Sequence, residues 1–170
     1  ILTDGISDDP YAEISNSFGS YDSRKHTVKF SSGLINDSFE ISGRLSKIDS
    51  DGYVDRAFSD LKSYFLQGAY KRGNTFLKAL AFGGHEKTYQ AWDGLSKEQI
   101  KENRRQNPLT YENEIDNYKQ DHYQMHLNQR IDSKWSTNIG LNYTYGRGYF
   151  EQYREDDDCL LYTSDAADEF

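Results

Sequence analysis

Hydrophobic and polar residues alternate with a period of two along most of this chain. Between positions 38 and 48 the odd positions carry Phe39, Ile41 and Leu45, and the even positions are polar. Such alternation is typical of a β-strand with one apolar and one polar face. The same pattern recurs and predicts seven strands, at 11–21, 25–32, 38–48, 61–71, 75–85, 122–131 and 135–145, with a further loop expected from 146 onward.

The apolar sides of the predicted strands are expected to form one continuous surface. In the fifth strand the pattern assigns Phe76, Leu80 and Phe82 to that side, although Lys78 interrupts it. We therefore expect five aliphatic side chains from five strands to share one face, which hydrocarbon tails and not a second sheet would cover: Ile41, Leu66, Leu80, Leu127 and Leu141.

The connections between the predicted strands differ in length. Those after the second, fourth and sixth strands are short, at 33–37, 72–74 and 132–134, whereas those after the third and fifth are long. Short turns at one end, long loops at the other and tyrosine-rich strand ends are typical of outer-membrane barrels. The sequence therefore predicts an all-β fold, an antiparallel up-and-down transmembrane β-barrel fragment of about seven strands that forms an open, curved sheet.

The opposite face of the predicted sheet is polar and supports this fold class. It carries four cationic or imidazole side chains and few apolar ones: Arg44, Lys71, His122 and Arg130. A soluble β-sandwich produces the same alternation, because one face of each sheet packs on the other and the second face is solvated. That fold remains the alternative.

One short helix is predicted inside the longest loop, which would be extracellular in a barrel. Ser96 is a suitable N-cap and Gln99 follows it by three residues, the spacing of a capping box. The helix is expected to cover 97–105 and to end before Pro108, since the residue before proline avoids the α region.

The composition excludes several classes of protein. The 170 residues include 14 Tyr and 9 Phe, which argues against simple disorder. The sequence contains no run of 18 apolar residues, so no transmembrane helix is predicted, and a barrel would not need one. A net charge of −8, a pI near 5.0 and the lack of a basic run argue against a nucleic-acid partner.

Both ends of the sequence have unusual features. The chain begins with Ile1 and has no initiator methionine, so we expect an internal fragment. Residues 159–170 contain the only cysteine and have the sequence expected from a translated sequencing adapter, so we expect them to lie outside the natural protein. No disulfide is predicted.

Three segments, in order along the chain, resemble the early barrel of TonB-dependent outer-membrane receptors. They are 42–57 (SGRLSKIDSDGYVDRA), 83–92 (GGHEKTYQAW) and 116–124 (DNYKQDHYQ). In that family a plug domain precedes a barrel of about 22 strands. The resemblance implies that residues 1–10 are the end of the plug and the entry to the barrel, and that 11–158 are part of the barrel.

The resemblance also implies a function. Receptors of this family bind a scarce nutrient, commonly a ferric siderophore, and import it with energy from the TonB complex. The expected location is the outer membrane of a Gram-negative bacterium. The expected partners are outer-membrane lipid, the TonB complex through the missing plug region, and a small ligand such as a metal chelate. A soluble carbohydrate-binding sandwich and, less strongly, a passive porin-like channel are the alternatives.

Five residues at strand ends and loop bases are the candidate ligand-binding residues. In a barrel they would line the outer vestibule, where aromatic rings and an arginine can hold a chelate or a sugar by stacking and charge-assisted hydrogen bonds. They are Tyr53, Arg56, His85, Tyr89 and Trp92. The alternative is that these residues pack loops or belong to an aromatic girdle.

No metal, cofactor or catalytic site is predicted. His122 and His126 lie on one strand, where four residues span roughly 13 Å, too far to share an ion. Asp49, Asp51 and Asp55 surround Gly52, but this glycine comes too early for an EF-hand loop, so a glycine-centred turn is expected instead. Phosphate loops, nucleophile elbows and paired catalytic carboxylates are not found, and the chain is not expected to be an enzyme.

Overall fold

The computed structural model describes residues 5–153, which form one antiparallel sheet of seven strands. Each strand pairs with the next along the chain, so the order is β1 to β7. This confirms the all-β class and the open seven-stranded up-and-down sheet. The strands are β1 (Pro10–Phe18), β2 (Arg24–Ser32), β3 (Phe39–Ser50), β4 (Ser59–Arg72), β5 (Thr75–Tyr89), β6 (Ile115–Arg130) and β7 (Ser136–Phe150).

The helix α1 (Lys97–Glu102) lies in the connection between β5 and β6, as predicted. Its capping box is formed, because the Gln99 amide donates to the Ser96 hydroxyl and the Ser96 amide donates to the Gln99 side chain. The helix ends three residues earlier than expected. Asn103 is extended, and its side chain accepts from the Arg105 amide, so the local side-chain bond replaces the next helical turn.

The last three strands extend beyond the predicted limits. β5 continues to Tyr89, β6 begins at Ile115 and not at 122, and β7 continues to Phe150. Residues 116–121 are polar on both faces, so they carry no alternation of apolar and polar positions. They are held in the sheet by backbone pairing with 83–88 on one side and 145–150 on the other.

One face of the sheet, here called the apolar face, carries large hydrophobic side chains that remain exposed. Leu45 is 51% exposed, Leu66 43% and Leu141 56%. Among residues 5–153, each strand contacts only its neighbours in the sheet, and neither a second sheet nor the helix α1 packs on the strands. The rows of directly opposed residues that form the centre of this face are Ile14–Val28–Leu45–Tyr64, Ala12–Phe30–Gly43–Leu66–Ala81–Tyr123–Tyr143, Ile41–Gly68–Ala79–Met125–Leu141 and Phe39–Tyr70–Leu77–Leu127–Ile139.

The assignment of Phe76, Leu80 and Phe82 to the apolar face is wrong, because all three lie on the opposite face. Leu80 is directly opposite Gln67 and Gln124, on the other face, and is only 6% exposed. β5 is apolar on both sides, with Leu77 and two alanines on the apolar face, so the larger residues on the polar face dominated the pattern. The register is fixed by the two-residue turn at 73–74, which pairs Arg72 with Thr75.

The opposite face, here called the polar face, contains buried polar side chains. Glu40 is 1% exposed and accepts hydrogen bonds from the Ser31 hydroxyl (2.9 Å), the Gln67 amide (3.2 Å) and the Ser7 backbone (3.4 Å). Glu40 is therefore held by side chains of β2 and β4 and by the segment that precedes β1. Thr27 is buried there too, 3.0 Å from the Ser46 hydroxyl.

The two long connections lie at the same end of the sheet, at 51–58 and 90–114, together with the turn at 19–23. The connections at 33–38, 73–74 and 131–135 lie at the opposite end. Loop lengths therefore differ between the two ends in the predicted sense. We call the first end the loop end and the second the turn end.

None of the helices among residues 5–153 is long and apolar enough to cross a membrane. Residues 1–4, part of the segment assigned to the plug, lie outside the described residues. Residues 154–158 of the assigned barrel and the adapter-like segment 159–170 also lie outside them.

Candidate ligand-binding site

The two long loops are joined to each other above the loop end of the sheet. The Asp55 amide donates to the Arg105 carbonyl at 2.7 Å, and the Arg105 guanidinium donates to the Tyr53 carbonyl at 3.0 Å. Arg105 also forms an ion pair with Asp55 at 3.5 Å. The loop 51–58 and the loop 90–114 therefore form one surface, in which neither loop is positioned independently.

Arg56 fastens these loops with its guanidinium. Its Nη2 donates to the carbonyls of Asn107 (2.9 Å) and Leu109 (2.6 Å), and its Nε donates to the Leu109 carbonyl at 3.2 Å. The guanidinium also lies 6.0 Å from the centre of the Tyr89 ring. Arg56 has a positive φ of 67°, a strained backbone for a residue with a side chain. The Arg56 guanidinium therefore binds backbone carbonyls of the long loop and is not directed into an open pocket.

A buried polar cluster lies beneath Arg56. We call it the loop cluster, and its members are Tyr89, Gln90, Asn107 and Glu114, which are 5%, 1%, 2% and 3% exposed. Asn107 donates to the carbonyls of Gln90 (2.9 Å) and Asp55 (3.1 Å) and accepts from the Leu109 amide (3.1 Å). One amide side chain thus ties both long loops to the end of β5.

The remaining bonds of the loop cluster close the base of the long loop. The Tyr89 hydroxyl donates to the Tyr111 carbonyl at 2.5 Å and lies 3.2 Å from the Glu114 carboxylate. The same carboxylate accepts from the Tyr111 amide at 3.1 Å. The Gln90 amide group donates to the carbonyls of Ile115 (3.3 Å) and Glu151 (3.2 Å), so it holds β5, β6 and the end of β7 together.

Tyr89 lies beyond the loop-end limit of the apolar rows, and its acidity is perturbed. Burial raises the pKa of the Tyr89 hydroxyl, and the nearby Glu114 carboxylate acts in the same direction, whereas Arg56 opposes both. The neutral hydroxyl is therefore favoured, and it acts as the hydrogen-bond donor that the cluster needs.

A separate aromatic and cationic group is more accessible. Tyr53 is 45% exposed and packs edge-to-face on Tyr21, with ring centres 5.5 Å apart. The Arg105 guanidinium lies 5.6 Å from the centre of the Tyr21 ring. Two exposed aromatic rings beside a guanidinium can contact a flat, anionic ligand by stacking and charge-assisted hydrogen bonds.

Two other predicted residues lie apart from this group. Trp92 is 63% exposed, and its ring centre is 6.2 Å from that of Phe150. His85 belongs to β5 on the apolar face, where its Nε2 is 2.8 Å from the Asn117 side-chain oxygen. Of the five candidates, Arg56 and Tyr89 therefore contact each other, Tyr53 lies beside Tyr21, and ligand binding by any of them stays a prediction.

No protein family, no curated protein and no solved structure matches this chain.

The side chains that suggested metal sites have other contacts. His122 stacks on Phe82 with ring centres 4.7 Å apart and lies 2.9 Å from the Thr144 hydroxyl. Asp49 pairs with Lys47 at 2.9 Å. Gly52 forms a turn at φ +77°, where a side chain would collide with the Ala57 carbonyl. Within residues 5–153, no three His, Cys, Asp or Glu side chains come together as a metal site.

Several functional candidates were missed from the sequence. Gln90, Asn107 and Glu114 look like ordinary loop residues, and only the Asn107-Pro108 pair carries a signal, because Asn before Pro favours a turn. Tyr21 and Arg105 were missed because the contact between them joins loops that are far apart in the sequence. Their proximity depends on how the turn at 19–23 and the loop at 90–114 meet above the sheet, which no pattern within one strand contains.

Proposed function

We propose that this chain is a segment of the β-barrel of a TonB-dependent outer-membrane receptor, which imports a scarce nutrient. The observation that carries the proposal is the inverted distribution of side chains on the sheet. Leu45, Leu66 and Leu141 are exposed on one face, while Glu40 and Gln67 are buried on the other. A protein in water buries its large apolar residues, whereas a barrel in lipid turns them outward.

The lengths of the strands support the same proposal. From Leu45 to Phe39 on β3 the apolar rows span about 20 Å along the strand, which a tilt of about 35–45° reduces to about 15 Å along the bilayer normal, within the roughly 25 Å apolar band of outer-membrane barrels. The strands β3–β7 contain 12, 14, 15, 16 and 15 residues. Each is therefore long enough to cross a bilayer, for which about 9–11 residues suffice.

A soluble carbohydrate-binding sandwich is the second candidate, because it too would use exposed tyrosines. It requires a second sheet over the apolar face. Among residues 5–153 the contacts between strands are confined to neighbours in the one sheet. This favours the barrel over the sandwich.

A receptor of this type would recognise its ligand with the joined loops at the loop end. The resemblance to TonB-dependent receptors makes a ferric siderophore the first ligand to test. Tyr21, Tyr53 and Arg105 offer the accessible contacts, while Arg56 and Tyr89 hold the loops in place. No catalytic chemistry is part of this proposal.

The test is made on the complete gene product that contains this chain, expressed in a Gram-negative host. We expect it in the outer-membrane fraction, with a folded band that shifts on heating before electrophoresis. We also expect growth on a ferric siderophore as the iron source to require both this gene and TonB. A product that stays soluble without detergent would refute the barrel, and uptake that continues without TonB would favour the passive channel.

A further inference from the structure

Basic side chains form a continuous row across the apolar face at its loop end. Each member is directly opposite the next in the neighbouring strand, and we call this set the basic row: His26, Lys47, Lys62, His85, Lys119 and Arg147. The row lies two residues, or about 7 Å, beyond the last apolar row, in which Val28 faces Leu45. It therefore borders the apolar band on one side.

The arrangement is unfavourable without a counter-charge. Lys47 is opposite Lys62, and Lys119 is opposite Arg147. Like charges that face each other across antiparallel strands destabilise a sheet. No acidic residue occupies the row itself, although the chain has 28 Asp and Glu residues. Anions placed along the row would relieve this repulsion.

Aspartates beside the row offset only part of its charge. Three of them pair with lysines of the row, at 2.9, 3.3 and 3.5 Å: Asp49 with Lys47, Asp60 with Lys62 and Asp121 with Lys119. The lysine side chains in these pairs are about half exposed, and such pairs contribute little because water screens them. Their ammonium groups stay accessible to a second anion.

The charge is also confined to one margin of the apolar face. The basic row and the row beyond it, toward the loops, hold six Lys and Arg residues, including Arg24 and Lys87. Against them stand the three aspartates named above and Asp22, which leaves an excess of two positive charges in a chain whose net charge is −8. Asp22, in the turn at 19–23, pairs with Arg24. At the turn end the corresponding row is Arg72, Thr75, Gln129 and Thr137, with one cation.

We propose that the basic row binds the phosphate groups of lipids that surround the loop end of the barrel. The proposal rests on the proposed function, because the apolar band must first be covered by acyl chains. Side chains about 7 Å beyond that band then reach the level of the headgroups. Lys47 and Lys62 supply point charges to a phosphate, and Arg147 can bind it with two parallel hydrogen bonds.

The experiment measures lipid binding by the complete protein, folded in uncharged maltoside micelles. The probe is fluorescent phosphatidic acid, which carries a phosphate monoester, and competitors are diacylglycerol and inorganic phosphate. The row variant carries Lys47→Gln, Lys62→Gln, Lys119→Gln and Arg147→Gln. A matched control removes four cations from the polar face of the same strands and their neighbours: Lys25→Gln, Lys29→Gln, Lys71→Gln and Arg130→Gln.

The row variant should bind phosphatidic acid at least tenfold more weakly, since a cation near a lipid surface contributes about fivefold in affinity and the aspartates offset part of that. The control should stay within twofold of the natural protein. Diacylglycerol and inorganic phosphate should compete poorly. Equal affinity of the row variant and the natural protein would overturn the proposal, and strong competition by inorganic phosphate would overturn the choice of lipid.

Two further checks separate the possible failures. The folding of each variant is measured first, from the shift of its band when the sample is heated before electrophoresis. If the variant with four substitutions does not fold, two double variants are tested instead: Lys47→Gln with Lys62→Gln, and Lys119→Gln with Arg147→Gln. A natural protein that does not insert into membranes refutes the proposed function. A natural protein that inserts, but whose row variants keep full affinity, refutes only the lipid site.

Discussion

Replacing Asn107 by alanine should release the two long loops while leaving the sheet intact. Asn107 is 2% exposed, and its side chain donates to the carbonyls of Asp55 and Gln90 and accepts from the Leu109 amide. Alanine leaves these three backbone groups without a partner in a site that water reaches poorly. Because all three belong to loops or to the end of β5, the loss should act on the loops and not on the strands.

The size of the effect follows from these bonds. Leaving a buried polar group unpaired costs about 1–3 kcal/mol, and loop opening lets water satisfy part of the loss. We expect the free energy of local loop opening to fall by about 2–4 kcal/mol, which corresponds to roughly a 30- to 1000-fold faster exchange of the protected amides. The Asp55 amide, bonded to the Arg105 carbonyl, and the Gln90 amide, bonded to the Glu114 carbonyl, are the reporters.

The assay is hydrogen exchange followed by mass spectrometry on peptides that cover 51–58 and 90–114, with the protein in micelles. Asn113→Ala is the matched control, since Asn113 lies in the same loop but is exposed and bonds to the Ile115 amide through its backbone carbonyl, which alanine keeps. It should change exchange by less than threefold. If Asn107→Ala leaves both reporter amides as protected as before, the loop cluster does not hold the loops, and the structural role given to Asn107 is wrong.

Three further predictions concern the two faces and the ligand. Leu66→Arg, on the apolar face, should lower the free energy of unfolding in vesicles by about 2–4 kcal/mol, while Ser63→Arg on the polar face should change it by less than 1 kcal/mol, as measured by urea titration. Nitroxide labels at Leu66→Cys and Leu80→Cys should differ in collision with oxygen dissolved in lipid, with the first accessible and the second protected; equal accessibility would contradict the assignment of Leu80. In siderophore titrations, Tyr53→Ala should weaken binding several-fold while hydrogen exchange of the loops stays unchanged. Tyr89→Phe should instead accelerate hydrogen exchange of the loops. The reverse pattern would show that Tyr89 binds the ligand and Tyr53 holds the loops.

The sequence predicted best those strands whose two faces differ strongly in polarity. In β3, Ile41 and Leu45 alternate with Ser42 and Arg44, so the pattern predicted both the strand and the face on which each of these side chains lies. β5 lacks that contrast, because Leu77 and Leu80 are apolar residues on opposite faces. Its register is decided by the turn at 73–74 and by pairing with both neighbours, which a single-strand pattern does not contain.

The site was less predictable than the fold because its contacts join distant segments. Arg56 and Asn107 are 51 positions apart, and their contact depends on how the loops of two hairpins meet. The basic row is a stronger example. It draws one residue from each of six strands, so no basic run marks it in the sequence, and only the register brings Lys62 opposite Lys47 and His85.

The exposure of large apolar side chains on one face of the sheet distinguishes between its possible environments. Leu45, Leu66, Ile139 and Leu141 belong to one face and are 51%, 43%, 49% and 56% exposed. Soluble proteins rarely leave more than a few hundred Å² of contiguous apolar surface in water, because such a patch promotes association. Covering this face with a second sheet would satisfy that constraint, but it would set the basic row at the edge of a protein core, where cations are costly to desolvate. The proposed lipid environment would satisfy both requirements together, since acyl chains would cover the leucines and the headgroup phosphates would lie where the basic row begins.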